Sequence, residues 1–148
     1  MYKHILVATD GSPIGERAVE HGLKLAKTVN AAVTLVTVTE PWSALDMAAE
    51  TRSGNMFPAQ QYEAMKAEVA KHILDRAAAK AKAAGISAET LHIPDRRAGE
   101  GIIMAAEKTG CDLIVMGSHG RRGVGRLLLG SQAYEVLSHC KVPALIVR

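Results

Sequence analysis

One stretch constrains this chain more than any other. It is the apolar run Leu113-Ile114-Val115-Met116 with the segment GSHGRRGVGRLLLGS that follows at 117–131. A short, continuous apolar run reads as a strand buried on both faces. Beyond the segment, Ala133, Val136, Leu137 and Cys140 recur at the spacing of one helix face. The order is therefore strand, glycine-rich loop, helix. Gly117 ends the strand, Gly120 follows, and Gly130 stands beside Ser131 at the start of the last helix. Glycine brings backbone N–H groups close to a ligand with no Cβ in the way. The unpaired N–H groups and the dipole of a helix start favour an anion such as phosphate.

The rest of the chain repeats this alternation. Ile5-Leu6-Val7-Ala8 is a second apolar run, stopped by Thr9-Asp10-Gly11-Ser12-Pro13. Ser12 makes a good N-cap and Pro13 suits the first helical position, while Gly15 stands where a capping box has Glu. Ala18, Gly22, Leu25, Ala26 and Val29 give this helix a thin apolar face ending near Asn30, and Gly22 would let it sit close to a sheet. Residues 33–38 form the next strand.

Residues 41–60 show no clean period and read as a long loop, a kind that is often functional or mobile. They hold Trp42 and Phe57, the only Trp and the only Phe, with Met47 and Met56. Two readings stand: these side chains cap the core under the loop, or they form a lid over a ligand or a surface for a partner. A long helix is expected at about 61–84, with Met65, Val69, Ile73, Ala77 and Ala81 as its core stripe and Gly85 as its stop. Glu89 and His92 interrupt the strand at 87–93, which fits an edge position. A turn at 94–99 leads to a short helix marked by Ile102, Ile103, Ala105 and Ala106 and ending near Gly110; strands at 112–116 and 144–147 complete the chain. The order βαβαβαβαβ calls for one domain over 1–148, a parallel sheet with helices on both faces joined by right-handed crossovers.

Composition narrows the partners. A net charge of +3 over 148 residues is too small to argue for nucleic acid, which needs a clustered basic face. The nearest cluster, Arg121, Arg122 and Arg126, sits in the glycine-rich segment and is expected to face phosphate or solvent. Cys111 and Cys140 have no metal-ligand spacing and no CxxC partner, so they read as free buried thiols of a reducing compartment. No signal peptide is seen, and no apolar run approaches the roughly 20 residues that span a bilayer. The expectation is a cytoplasmic protein with no membrane contact.

Competing nucleotide motifs are missing. There is no GxxxxGK[ST], and the first strand–helix turn reads TDGSP rather than GxGxxG. Ser118 and His119 place a histidine beside a hydroxyl, but no acid follows to orient the imidazole and GxSxG does not occur. His119 is expected to stack on or hydrogen-bond a phosphate.

The spacing Gly117-x2-Gly120-x9-Gly130-Ser131 resembles the ATP-binding signature of the universal stress protein family. The resemblance extends to Thr9-Asp10-Gly11-Ser12, to DLIVMGSHGR at 112–121, to LLLGS at 127–131 and to VPALIVR at the end of the chain. It implies an open, Rossmann-like five-stranded parallel sheet of order 3-2-1-4-5, with the switch point between strands one and four. The nucleotide is then expected against Ala8, Thr9 and Asp10, with Asp10 on ribose or, through water or a metal, on phosphate. Val38 would offer its backbone to the adenine edge, and Met116 and Gly117 would approach the ribose. His119, Gly120, Arg121, Gly130, Ser131 and Gln132 would surround the phosphates. Family members often carry an apolar β-branched residue where Gln132 stands.

The resemblance further implies ATP, with AMP or ADP as variants, and magnesium or manganese held by phosphates near Asp10 rather than by protein alone. It implies a homodimer through strand 144–147, whose bare apolar edge needs pairing or cover, and a regulatory protein partner that the sequence does not name. The expected function is an ATP-binding stress-response sensor. One rival is a slow ATPase or an enzyme that phosphorylates itself at Ser118, Ser131 or a nearby hydroxyl, and a second is a nucleotide-free structural dimer.

Overall fold

The computed structural model describes residues 1–120 and 128–148. Its elements are β1 (His4–Ala8), α1 (Pro13–Val29), β2 (Ala32–Val38), α2 (Ala44–Arg52), α3 (Pro58–Ala83), β3 (Ala88–Ile93), α4 (Ala98–Thr109), β4 (Leu113–Gly117), α5 (Ser131–His139) and β5 (Ala144–Val147). All strand pairs are parallel and the order is β3-β2-β1-β4-β5. Ile5 lies level with Val33 on one side and Leu113 on the other.

The apolar runs follow from burial on both faces. Ile5 and Val7 pack with Leu23, Ala26, Leu74 and Ala77 of α1 and α3. Leu6 and Ala8 pack on the opposite face with Ile102, Ala105, Ala133 and Val136 of α4 and α5. β3 is an edge and carries its polar residues there. The N-terminus is tied to β4 by Asp112, whose carboxylate accepts the N–H of Lys3 at 2.8 Å and of His4 at 3.0 Å. Those two bonds hold the Asp112 carboxyl below its usual range.

α1 begins as expected. Ser12 is the N-cap, its hydroxyl accepts the N–H of Gly15 at 3.1 Å, and Pro13 opens the helix. A Cβ on Gly22 would lie 2.5 Å from a methyl of Val7, so only glycine permits this approach of helix to sheet.

Two expectations are corrected. The segment 41–60 contains a helix, α2, capped by Ser43, whose hydroxyl accepts the N–H of Asp46 and donates to its carboxylate. α2 buries no residue. A helix without a buried face carries no apolar period, which is why the sequence read as loop. The second correction concerns α3, which starts at Pro58 and buries Ala70, Leu74, Ala77 and Ala81. Met65 is exposed, and Val69 and Ile73 only flank the buried stripe. A strict four-residue repeat drifts about 40° per step around a helix of 3.6 residues per turn, so it cannot follow one face.

Candidate functional site

β1 and β4 are neighbours, yet the helices that follow them lie on opposite faces: α1 packs against Ile5 and Val7, α5 against Leu6 and Ala8. The chain parts here, and in open parallel sheets such a switch point, beyond the carboxyl ends of the two strands, is where a ligand crevice forms.

On the β1 side, Thr9 donates its N–H to Val36 O at 3.0 Å, the last rung toward β2. The turn is then held by its own side chains. Thr9 Oγ1 accepts the N–H of Gly11 at 3.2 Å, and Asp10 Oδ1 accepts that of Ser12 at 3.0 Å. A Cβ on Gly15 would stand 2.7 Å from Asp10 Oδ1 and 2.9 Å from Thr9 Oγ1. Gly15, read in the sequence only as a missing capping residue, is thus what lets this turn fold back over the helix start.

The β4 side reaches the same point. A Cβ on Gly120 would lie 3.2 Å from Asp10 Oδ2, and one on Gly117 would lie 2.5 Å from a methyl of Ile14 in α1. Ser118 is buried at 4% exposure; its N–H donates to Val147 O at 2.7 Å and its hydroxyl pairs with His119 Nδ1 at 3.0 Å. The imidazole therefore has an orienting partner, a hydroxyl rather than an acid. Gly130 has extended backbone that any residue adopts. Glycine is needed there for space, because a Cβ would stand 2.6 Å from Ser118 O. The N–H of Gly130 donates to that same oxygen at 2.8 Å. It is engaged within the protein, contrary to the expectation that it faces phosphate. The first helical bond of α5 runs from Tyr134 N to Gly130 O, so the N–H groups of Ser131, Gln132 and Ala133 precede it.

Gln132 links two helix starts. Its side-chain carbonyl accepts the N–H of Gly99 in α4 at 2.8 Å, and its amide donates to Ser131 Oγ at 3.3 Å. A Cβ on Gly99 would meet Glu135 at 2.8 Å, and one on Gly101 would meet Val38 at 2.5 Å. The sequence reading passed over both glycines, although Gly-x-Gly in a helix start is a legible signal of close packing. Val38 lies past the last residue of β1. Alternate residues of a parallel strand direct both backbone groups to one side, and Val36 O bonds Thr9 while Thr39 N bonds Ile93 O. The backbone groups of Val38 accordingly face the β1 side, over the crevice.

Trp42, four residues past Val38, stacks on Tyr62 with ring centroids 4.9 Å apart, and Tyr62 donates its hydroxyl to Glu40 O at 2.9 Å. The reading in which Trp42, Met47, Met56 and Phe57 cap the core is corrected: Phe57 is 62% and Met56 81% exposed, and Met47 also reaches solvent. Below them, His92 Nε2 pairs with Thr39 Oγ1 at 2.8 Å, and burial pushes the imidazole below its ordinary 6.5.

The structure thus brings Ala8, Thr9, Asp10, Val38, Met116, Gly117, His119, Gly120, Gly130, Ser131 and Gln132 to one end of the sheet. Arg121, like Arg122 and Arg126, lies outside the described residues. Among the described residues no group of three or more His, Cys, Asp or Glu could hold a metal, and no helix is long and apolar enough to cross a membrane.

The universal stress protein family model matches residues 1–148. The chain belongs to this family. A universal stress protein of Bacillus subtilis is 32% identical over 152 residues, with 100% of both chains covered. One from Methanocaldococcus jannaschii is 30% identical over 161 residues, covering 100% of this chain and 96% of the relative. The solved structure of that archaeal protein overlays with a TM-score of 0.80 at 26% identity, covering 99% and 96%. A universal stress protein solved in complex with cAMP overlays with a TM-score of 0.72 at 28% identity, covering 99% and 97%. The five-stranded parallel order is therefore that of a family with a nucleotide-bound member.

Proposed function

We propose that this universal stress protein binds ATP, with AMP or ADP as alternatives, at the β1/β4 switch point and works as a sensor or regulatory module. One observation carries the reading. The Asp10 turn, Gly120 and the first turn of α5 meet at one crevice, at positions where a Cβ would intrude on Asp10 or Ser118. Asp10 suits ribose or a phosphate-bound magnesium or manganese, and the backbone of Val38 suits the adenine edge. The N–H groups of Ser131, Gln132 and Ala133, with the Ser131 hydroxyl, suit phosphate. The cAMP complex of a relative supports an adenine ligand.

Fast phosphoryl transfer also requires a held metal and a group that positions the attacking oxygen. The Ser118 hydroxyl is buried against His119, which argues against it as a phosphate acceptor. Hydrolysis is expected far below the roughly 1–100 per second of kinases. Homodimerisation through β5 is part of the proposal: Leu145 reaches solvent on this edge strand, as do Tyr134 and Leu137 of α5. A reducing cytoplasm suits the two free thiols.

Mass spectrometry of small molecules released from protein purified without added nucleotide tests the core of this reading. Adenine nucleotide near one per chain supports it. No bound nucleotide, together with no heat on titration with ATP, AMP or cAMP, removes it.

A further inference from the structure

At the opposite end of the sheet from the nucleotide crevice, Cys111 and Cys140 line one cavity of about 260 Å³, together with Ile103, Glu107, Lys141 and Val142. Nothing in the nucleotide reading uses them. Cys111 immediately precedes β4, and Cys140 is the C-cap of α5, whose N–H closes the helix onto Val136 O. The pairing of Ile114 with Ala144, continued by the bond from Ile114 N to Pro143 O, brings these two stretches side by side. Cys111 belongs to the apolar cluster on the α4/α5 face, and Cys140 packs against it.

Both thiols are free, but their settings differ. Cys111 is buried and Cys140 half-buried. Burial pushes the Cys111 thiol up, hydrogen bonds with Thr109 and the Leu6 backbone pull against this, and the charge of Cys140 raises it further. Cys140 reaches solvent, and Cys111 lies buried on the same cavity.

We propose that Cys111 and Cys140 form a two-thiol modification site that a hydroperoxide converts reversibly to an intrachain disulfide. The Cys140 thiolate attacks the peroxide oxygen. An S–O bond forms, the O–O bond breaks, and the alcohol or water leaves with the thiol proton. The Cys111 sulfur then attacks the Cys140 sulfenic acid. The S–S bond forms, the S–O bond breaks, and the Cys111 proton departs with the hydroxyl as water. Two electrons pass from the thiol pair to the peroxide, and a dithiol reductant returns them. The bond closes a loop that contains the whole 117–131 segment, joining the start of β4 to the end of α5. It therefore fastens the far ends of the two elements that carry the phosphate side of the crevice.

The test is peptide mapping of the full chain after reduction, desalting and graded hydrogen peroxide, under non-reducing conditions. The expected product is a Cys111–Cys140 linked peptide within a monomer-mass chain, restored to two alkylatable thiols by dithiothreitol. In Cys111→Ala, Cys140 should instead give a sulfenic acid trapped by dimedone; in Cys140→Ala, Cys111 should resist the same peroxide. Two thiols that stay alkylatable throughout, a link found only between chains, or Cys111 oxidised first would each overturn the proposal. The wild-type map decides the matter even if a variant fails to fold.

Discussion

The second residue of α4 is capped from the second residue of α5: the N–H of Gly99 donates to the side-chain carbonyl of Gln132 at 2.8 Å. α4 has no side-chain cap of its own, since its N-cap is Arg97 and makes no capping bond. Gln132→Val, which restores an apolar β-branched residue, should lower the unfolding free energy by about 1 kcal/mol, the scale of a lost helix cap. Amide exchange at Gly99 should accelerate in parallel. Urea unfolding with exchange measured by NMR checks both; unchanged stability with Gly99 still protected would show that the bond contributes nothing.

Gly15→Ala sets two effects against each other. Alanine gains about 1 kcal/mol of helix propensity, while forcing a methyl against Asp10 Oδ1 and Thr9 Oγ1 costs about 1–3 kcal/mol. The melting temperature should therefore fall only slightly. Nucleotide affinity should fall much more, because the group that moves is Asp10. Thermal melts run beside ATP calorimetry read the two quantities, and undiminished affinity would detach Asp10 from the ligand.

Trp42 should report nucleotide binding. It is held against Tyr62 four residues past Val38, and as the only Trp its emission is unmixed. ATP should change that emission saturably, and Tyr62→Leu should shift it before any ligand is added. A flat titration, alongside binding seen by calorimetry, would make the stack purely structural.

His92 supplies a pH dependence with a definite sign. Burial lowers its folded pKa below 6.5, so the unfolded chain takes up the proton first as pH falls. Its contribution to stability is complete above 6.5 and is lost between there and the lower folded value. His92→Gln should flatten the change in urea midpoint between about pH 7.5 and about pH 5.5. Equal slopes in variant and parent would assign the effect to other groups.

The legible parts of the fold were those whose side chains answer to burial. β1, β2 and β4 are apolar because both faces are covered, and Ser12 with Pro13 announced the start of α1. α2 was hidden because it buries nothing, and Pro58 went unread as the opening of α3. At the site, Gly120 and Ser131 were visible through spacing. The roles of Gly15, Gly99 and Gly101 were not, because each is set by an atom from a distant element. Gln132 is similar: its identity was plain, but its bond to α4 spans 33 residues of sequence.

The bond from Gly130 N to Ser118 O closes the base of the glycine segment. The chain leaves β4 and re-enters at α5 through a single fixed neck. That bond lies outside the exchanged stretch, so β4 and α5 keep their join whatever sequence stands between. The segment is in that sense a cartridge: grafting another sequence between Ser118 and Gly130 should change what is grasped and leave the frame that grasps it untouched.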